Sequence, residues 1–152
     1  MKIPLLVYVL VTAHLIGDWW LQNDEMATKK SHDNWALTRH VLVVGFVLTA
    51  CALLWAALAG VSAGNVLAYG AVNMVAHWVT DYVTSRRNAK AFPWRPVSLR
   101  DVPSGMNVFE VAGKGWMVPS DTGNRHRFFA GIGDDQWVHA ITLFATAEWL
   151  LL

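Results

Sequence analysis

The stretch His40-Val41-Leu42-Val43-Val44-Gly45-Phe46-Val47-Leu48-Thr49-Ala50-Cys51-Ala52-Leu53-Leu54-Trp55-Ala56-Ala57-Leu58-Ala59 holds twenty residues and no formal charge. A helix rises 1.5 Å per residue, so about twenty apolar residues cover the ~30 Å hydrocarbon core of a bilayer. The segment reads as a transmembrane helix. Downstream, Gly60-Val61-Ser62-Ala63-Gly64-Asn65 makes a short turn, and a further apolar run covers residues 66–83. So short a link predicts an antiparallel helical hairpin. The Gly60/Gly64 spacing falls in the turn and is read as turn chemistry.

Upstream, residues 3–21 form another apolar run, with Pro4 suited to a first helical turn and His14 and Asp18 as its titratable interruptions. A signal peptide is the rival reading, with Val11-Thr12-Ala13 as cleavage site. Against it stand an n-region with one charge and an apolar run that continues through Trp19-Trp20. A last apolar run occupies residues 134–152. The fold class predicted is therefore all-α: a polytopic membrane protein, a four-helix bundle, forming a single domain over residues 1–152. Its long polar loop, residues 84–127, contains four prolines and eight basic residues. Within it, residues 108–111 and 116–118 flank Ala112-Gly113-Lys114-Gly115 and suggest a hairpin.

Composition agrees with this reading. Hydrophobic residues make up 55% of the 152 and charged residues 15%, far from soluble usage. Most of the charge is gathered in residues 22–39 and 84–127. With four spans these two loops share one side, carrying eleven Lys and Arg against Lys2 alone on the other. The positive-inside bias puts both loops in the cytoplasm and both termini outside, in a bacterial inner membrane. Cys51, the single cysteine, has no partner for an intrachain disulfide and reads as a small core residue. Most of the tryptophans fall near span ends, as an interfacial belt does.

What the apolar runs do not explain is their ionisable residues. His14/Asp18, His77/Asp81 and Asp135/His139 are each four apart, so each pair faces one way on a helix, and His40 opens the second span. Central charges cost about 2.5–3.5 kcal/mol on insertion scales, which makes such residues functional candidates. Span parity sets all four groups at one depth, where one cluster could form in a bundle core. Imidazole and carboxylate suit Zn²⁺ first, with Mn²⁺ or Fe²⁺ as alternatives. The candidate ligands are His14, Asp18, His40, His77, Asp81, Asp135 and His139. Seven exceed the needs of one tetrahedral zinc, so the surplus orients the ligands or holds a second ion. Three aspartates and a hydroxide neutralise two divalent ions, which mildly favours a pair. The plainer reading is an interhelical hydrogen-bond network. Gln22 and Asn73 are read as hydrogen-bonding supports, and His32 and His126 as solvated loop residues.

These motifs carry a resemblance. His14-Leu15-Ile16-Gly17-Asp18-Trp19-Trp20-Leu21-Gln22, the helix-start His40, His77-Trp78-Val79-Thr80-Asp81 and Asp135-Gln136-Trp137-Val138-His139 appear in order across all four spans. The chain thus resembles a family of small bacterial and phage integral-membrane proteins defined only as a domain of unknown function (DUF3307-like). The resemblance implies a membrane fold and the constellation, but no reaction, and it does not extend to residues 84–127. A looser likeness is to membrane-bound metal-dependent hydrolases.

Two functions are expected to compete. One is a metal-dependent hydrolase of a lipid or lipid-linked phosphoester or acyl substrate, with Asp81 or Asp135 as general base. Arg86, Arg87, Arg95, Arg125 and Arg127 would draw an anionic head group. The other is a non-catalytic accessory protein, such as one encoded by a phage, whose cluster ties helices together while residues 84–127 bind a protein partner. Membrane lipid is the expected surrounding, and no nucleic-acid partner is expected. Transport is a weaker third, because the outer halves of spans two and three carry only Thr49 and Tyr69 beside hydrocarbon.

Overall fold

The structure is a computed structural model that describes residues 2–91, 94–96, 109–111, 115–119 and 125–152. Helix α1 (Lys2–Leu15) runs into a π-helical turn, Ile16–Trp20, followed by a short α2 (Asp24–Lys29). Helices α3 (Asn34–Ala59), α4 (Ala63–Ala91) and α5 (Arg125–Leu150) complete the bundle. Strands β1 (Trp94–Pro96), β2 (Phe109–Val111) and β3 (Gly115–Pro119) lie between α4 and α5.

Local chemistry sets the ends of these helices. Asn23 caps α2 by accepting from the Met26 amide at 2.8 Å, and Asp33 caps α3 by accepting from the Trp35 amide at 2.8 Å. At the far end of α3, Gly60 adopts φ +79°, a left-handed conformation that glycine enters freely. Its amide and that of Val61 both donate to the Ala56 carbonyl, closing α3 so that α4 begins at Ala63. The hairpin of α3 and α4 is thus tighter than residues 60–65 suggested.

The helices are longer than the apolar runs. Helix α3 starts at Asn34 and not at His40, α4 continues to Ala91 beyond residue 83, and α5 begins at Arg125 and not near residue 134. Hydropathy detects where lipid would end, whereas backbone hydrogen bonding continues for as long as helix-forming residues and a cap allow. The polar segment 22–39 accordingly holds α2 and the first turns of α3. The suggested hairpin pairs Phe109 with Met117, Glu110 with Trp116 and Val111 with Gly115, and β1 joins β3 to give a three-stranded antiparallel sheet in the order β1-β3-β2. The bundle is all-α, and this small sheet is an addition to it.

Helix α4 packs on both α3 and α5, α3 packs on α1, and α1 touches α5. Close approach of α3 and α4 depends on Gly70, where a Cβ would overlap the Thr49 side chain. One half of the bundle is a dry core that includes Leu6, Leu10, Leu48, Trp55, Tyr69 and Leu143. Cys51 packs partly buried against it. The other half holds the polar residues His14, Asp18, His40, His77, Asp81 and His139, all buried. The outside is apolar, with Phe46 75%, Leu58 80% and Trp149 76% exposed. Polar groups inside and large hydrophobics outside invert the usual soluble arrangement. Among the described residues two helices are long and apolar enough to cross a membrane, Ile3–Trp20 and Asn34–Ala59.

Candidate metal centre

Each helix delivers its ligand groups by periodicity, and the tertiary fold brings them to one place. The π-helical turn begins two residues after His14 and contains Asp18. Gly17 in that turn rests on α3, since a Cβ there would lie 2.8 Å from the Val44 Cα. Such π-turns occur often at functional sites, because the extra residue per turn re-aims a side chain.

The centre is organised around His40, 0% exposed, and Asp81, 1% exposed. His40 Nε2 stands 3.1 Å from Asp18 Oδ1, 3.2 Å from His77 Nε2 and 3.3 Å from Asp81 Oδ2. His77 Nε2 lies 3.6 Å from Asp81 Oδ2 and 3.9 Å from Asp18 Oδ1. The other carboxylate oxygen of Asp81, Oδ1, is 3.0 Å from His139 Nε2. The rings of His77 and His139 stack with centroids 4.1 Å apart, and His14 lies against both at 5.5 and 5.2 Å. His14 Nε2 and His40 Nδ1 are buried without a hydrogen-bond partner, and His14 Nε2 is 3.9 Å from Asp18 Oδ2.

One imidazole nitrogen carries either one proton or one lone pair, so His40 Nε2 cannot satisfy three neighbours by hydrogen bonding. A shared cation does so at once. Two ligands each about 2.0–2.1 Å from a zinc ion at the tetrahedral angle are ~3.3 Å apart, which is the spacing seen around His40. Among the described residues, ligand atoms lie mutually within 4.8 Å in two overlapping groups, Asp18, His40 and His77, and His77, Asp81 and His139. These buried His and Asp groups could hold a metal ion.

Asp135 stands at the edge. Its Oδ1 accepts from Thr84 Oγ1 at 2.6 Å, and its Oδ2 is 3.6 Å from His139 Nε2. All seven predicted residues thus gather at one end of the bundle, with Asp135 and His14 on the margin. Asn73 lies deeper, where its Nδ2 donates to Tyr69 O at 2.9 Å and Thr146 Oγ1 at 2.8 Å. Gln22 Oε1 is buried without a hydrogen-bond partner.

Three contributors were not singled out from the sequence. Lys30 Nζ donates to Asp81 Oδ2 at 2.8 Å, bringing a cation from the polar connection into the cluster. Burial works against its ammonium, but the carboxylates of Asp81 and Asp18 outweigh this and raise its pKa. Gln136 Nε2 donates to Asp18 Oδ2 at 3.0 Å, and Thr84 holds Asp135 as described. Gln136 had a signal, since it sits between Asp135 and His139 in one motif. Lys30 had none, because no periodicity links it to Asp81.

Arg86, expected to draw a head group, is engaged within the protein. Its Nη2 donates to Asn34 Oδ1 at 2.6 Å, its Nη1 reaches the carbonyl of Lys30 at 3.5 Å, and its guanidinium lies 3.8 Å over the Tyr82 ring. It therefore steadies the connection that carries Lys30. The side chains of Arg95, Arg125, His126 and Arg127 lie outside the described part of the structure.

A bundle with an apolar exterior and a buried polyhistidine–aspartate cluster defines a class of helical proteins suited to lipid and capable of holding metal. The chain belongs to the family described as Protein of unknown function (DUF3307), whose sequence model matches residues 5–151. No curated protein and no solved structure matched it.

Proposed function

We propose that the chain is a polytopic membrane protein whose α1, α3, α4 and α5 all cross the bilayer, with both termini outside the cytoplasm and the cluster near the cytoplasmic leaflet. In this reading the cluster is a divalent-metal centre, zinc first, serving a metal-dependent hydrolase of a lipid or lipid-linked ester. The observation that carries it is the spacing around His40 Nε2, whose three neighbours at 3.1–3.3 Å stand at the ligand-to-ligand spacing of a metal centre. A bound ion would supply Lewis acidity and a water of lowered pKa. Of the two candidate bases, Asp81 has both oxygens occupied by His40, His139 and Lys30, so it serves as a ligand. Asp135, oriented by Thr84 and 15% exposed, is better placed to take a proton.

One observation favours the non-catalytic alternative. Lys30 and Gln136 already donate to Asp81 and Asp18, so the cluster is partly satisfied as an interhelical network. Metal analysis of the detergent-purified protein separates the two. Stoichiometric Zn, Mn or Fe that falls in His77→Ala and His139→Ala supports the metal centre, whereas a metal-free protein that stays folded in both variants removes it. If metal is bound and chelation lowers stability without any ester hydrolysis, the structural role is supported.

A further inference from the structure

We infer that the centre holds two divalent ions, bridged by the carboxylate of Asp81, and that its open side takes an anionic ester of the phosphate type; this rests on the metal-centre reading above. The two oxygens of Asp81 face different partners. Oδ2 lies 3.3 Å from His40 Nε2 and Oδ1 lies 3.0 Å from His139 Nε2, so the two oxygens of one buried carboxylate meet different imidazoles. A carboxylate so divided matches a bridge between two ions about 3.5–4 Å apart.

The ligands divide accordingly. Asp18 Oδ1, His40 Nε2 and Asp81 Oδ2 form one set, with His40 at 3.1 and 3.3 Å from the two carboxylates. His139 Nε2, Asp81 Oδ1 and His77 form the second, consistent with the second of the two groups whose ligand atoms lie within 4.8 Å. His77 Nε2 lies within reach of both sets, 3.2 Å from His40 Nε2 and 3.6 Å from Asp81 Oδ2, and can coordinate one ion only; its ring stacks on His139 at 4.1 Å, and it is counted with the second set. Each ion then has three protein ligands and open positions, the pattern of sites that do chemistry and not of closed structural ones. His14 Nε2, 6% exposed as a residue and unpartnered, is a further donor beside the second set.

Lys30 alters the charge balance read from the aspartates alone. With its ammonium included, a single divalent ion already neutralises Asp18, Asp81 and Asp135. A second ion leaves surplus positive charge around the open positions, which suits a phosphate group and not a neutral acyl ester. Geometry argues for the second ion, and the charge it brings assigns the substrate class.

The test loads the purified full chain with Mn²⁺ and measures both bound metal and the electron paramagnetic resonance spectrum. Two ions per chain with a spin-coupled signal are expected. His40→Ala and His139→Ala should each retain one ion with an uncoupled signal. One uncoupled ion per chain at saturation overturns the bridged pair while leaving the metal centre standing, and no bound metal overturns both. Because the wild-type spectrum decides this by itself, a variant that fails to fold does not spoil the test. Inorganic phosphate should then perturb the coupled spectrum; a spectrum unmoved by saturating phosphate overturns the assignment of an anionic substrate.

Discussion

Lys30 Nζ and Asp81 Oδ2 lie 2.8 Å apart although 51 positions separate them in the chain, so a residue of the polar connection completes a cluster built by the helices. The relationship gives a buried carboxylate of the cluster a cationic partner.

Removing that partner should matter most when no metal is bound. Lys30→Ala leaves a buried carboxylate short of one charged hydrogen bond, which costs about 1–3 kcal/mol. The loss should appear as a lower melting temperature in chelator and shrink toward zero with saturating divalent metal. Equal losses with and without metal would show that Lys30 has a purely structural place.

Gly17 is where the π-turn meets α3. Gly17→Ala puts a Cβ 2.8 Å from the Val44 backbone and must displace the turn that carries Asp18. A loss of about 1–3 kcal/mol is expected from such overpacking, together with weaker metal binding. Gly64→Ala is the control, because nothing lies closer to its Cβ than Ser62 Oγ at 3.9 Å. If both variants melt alike, the close approach is not a constraint.

The bond from Asn73 to Thr146 joins α4 to α5 below the cluster at 2.8 Å. A double-mutant cycle of Asn73→Ala and Thr146→Ala should give a coupling of about 0.6 kcal/mol, up to ~1.7. Additive losses would mean that the two side chains do not stabilise each other.

Glu25 pairs with Lys29 within α2 and with Arg39 of α3, each at 3.0 Å. Lys29 first, and then Arg39, hold its carboxyl below the usual carboxylate range. A depressed folded pKa contributes stability that is present above the ordinary value, about 4.3, and is lost as pH falls through the folded value. The melting-temperature difference between wild type and Glu25→Gln should therefore be flat from neutral pH down to about pH 5 and then close on further acidification. It should be small and reduced by salt, since the pairs are exposed. A difference that grows on acidification contradicts the sign.

Much of the bundle is legible in the residues themselves. The uncharged run from His40 to Ala59 implies a long apolar helix, and the short link after it implies an antiparallel neighbour, because backbone polar groups in apolar surroundings must bond within the helix. Fourfold spacing puts His14 with Asp18, His77 with Asp81 and Asp135 with His139 on common faces, since a helix repeats every 3.6 residues. The family to which the chain belongs is likewise carried by those motifs.

Other features depended on contacts between distant segments. The helices outrun their apolar stretches because hydrogen bonding and caps, not hydropathy, end them, as Asp33 and Gly60 show for α3. Sequence placed Asp81 and Asp135 on equal terms as candidate bases; packing gave Asp81 three histidines and Lys30 as partners and left Asp135 with Thr84 on the rim. It also set Arg86 against Asn34 and the Lys30 carbonyl. Sequence by itself determined which helix faces carry the histidines and aspartates, since that follows from local periodicity. Only the tertiary structure decided which atoms meet, that Lys30 joins them and that Asp81 meets His40 through one oxygen and His139 through the other, because those contacts are set by how whole helices pack and not by any pattern along one of them.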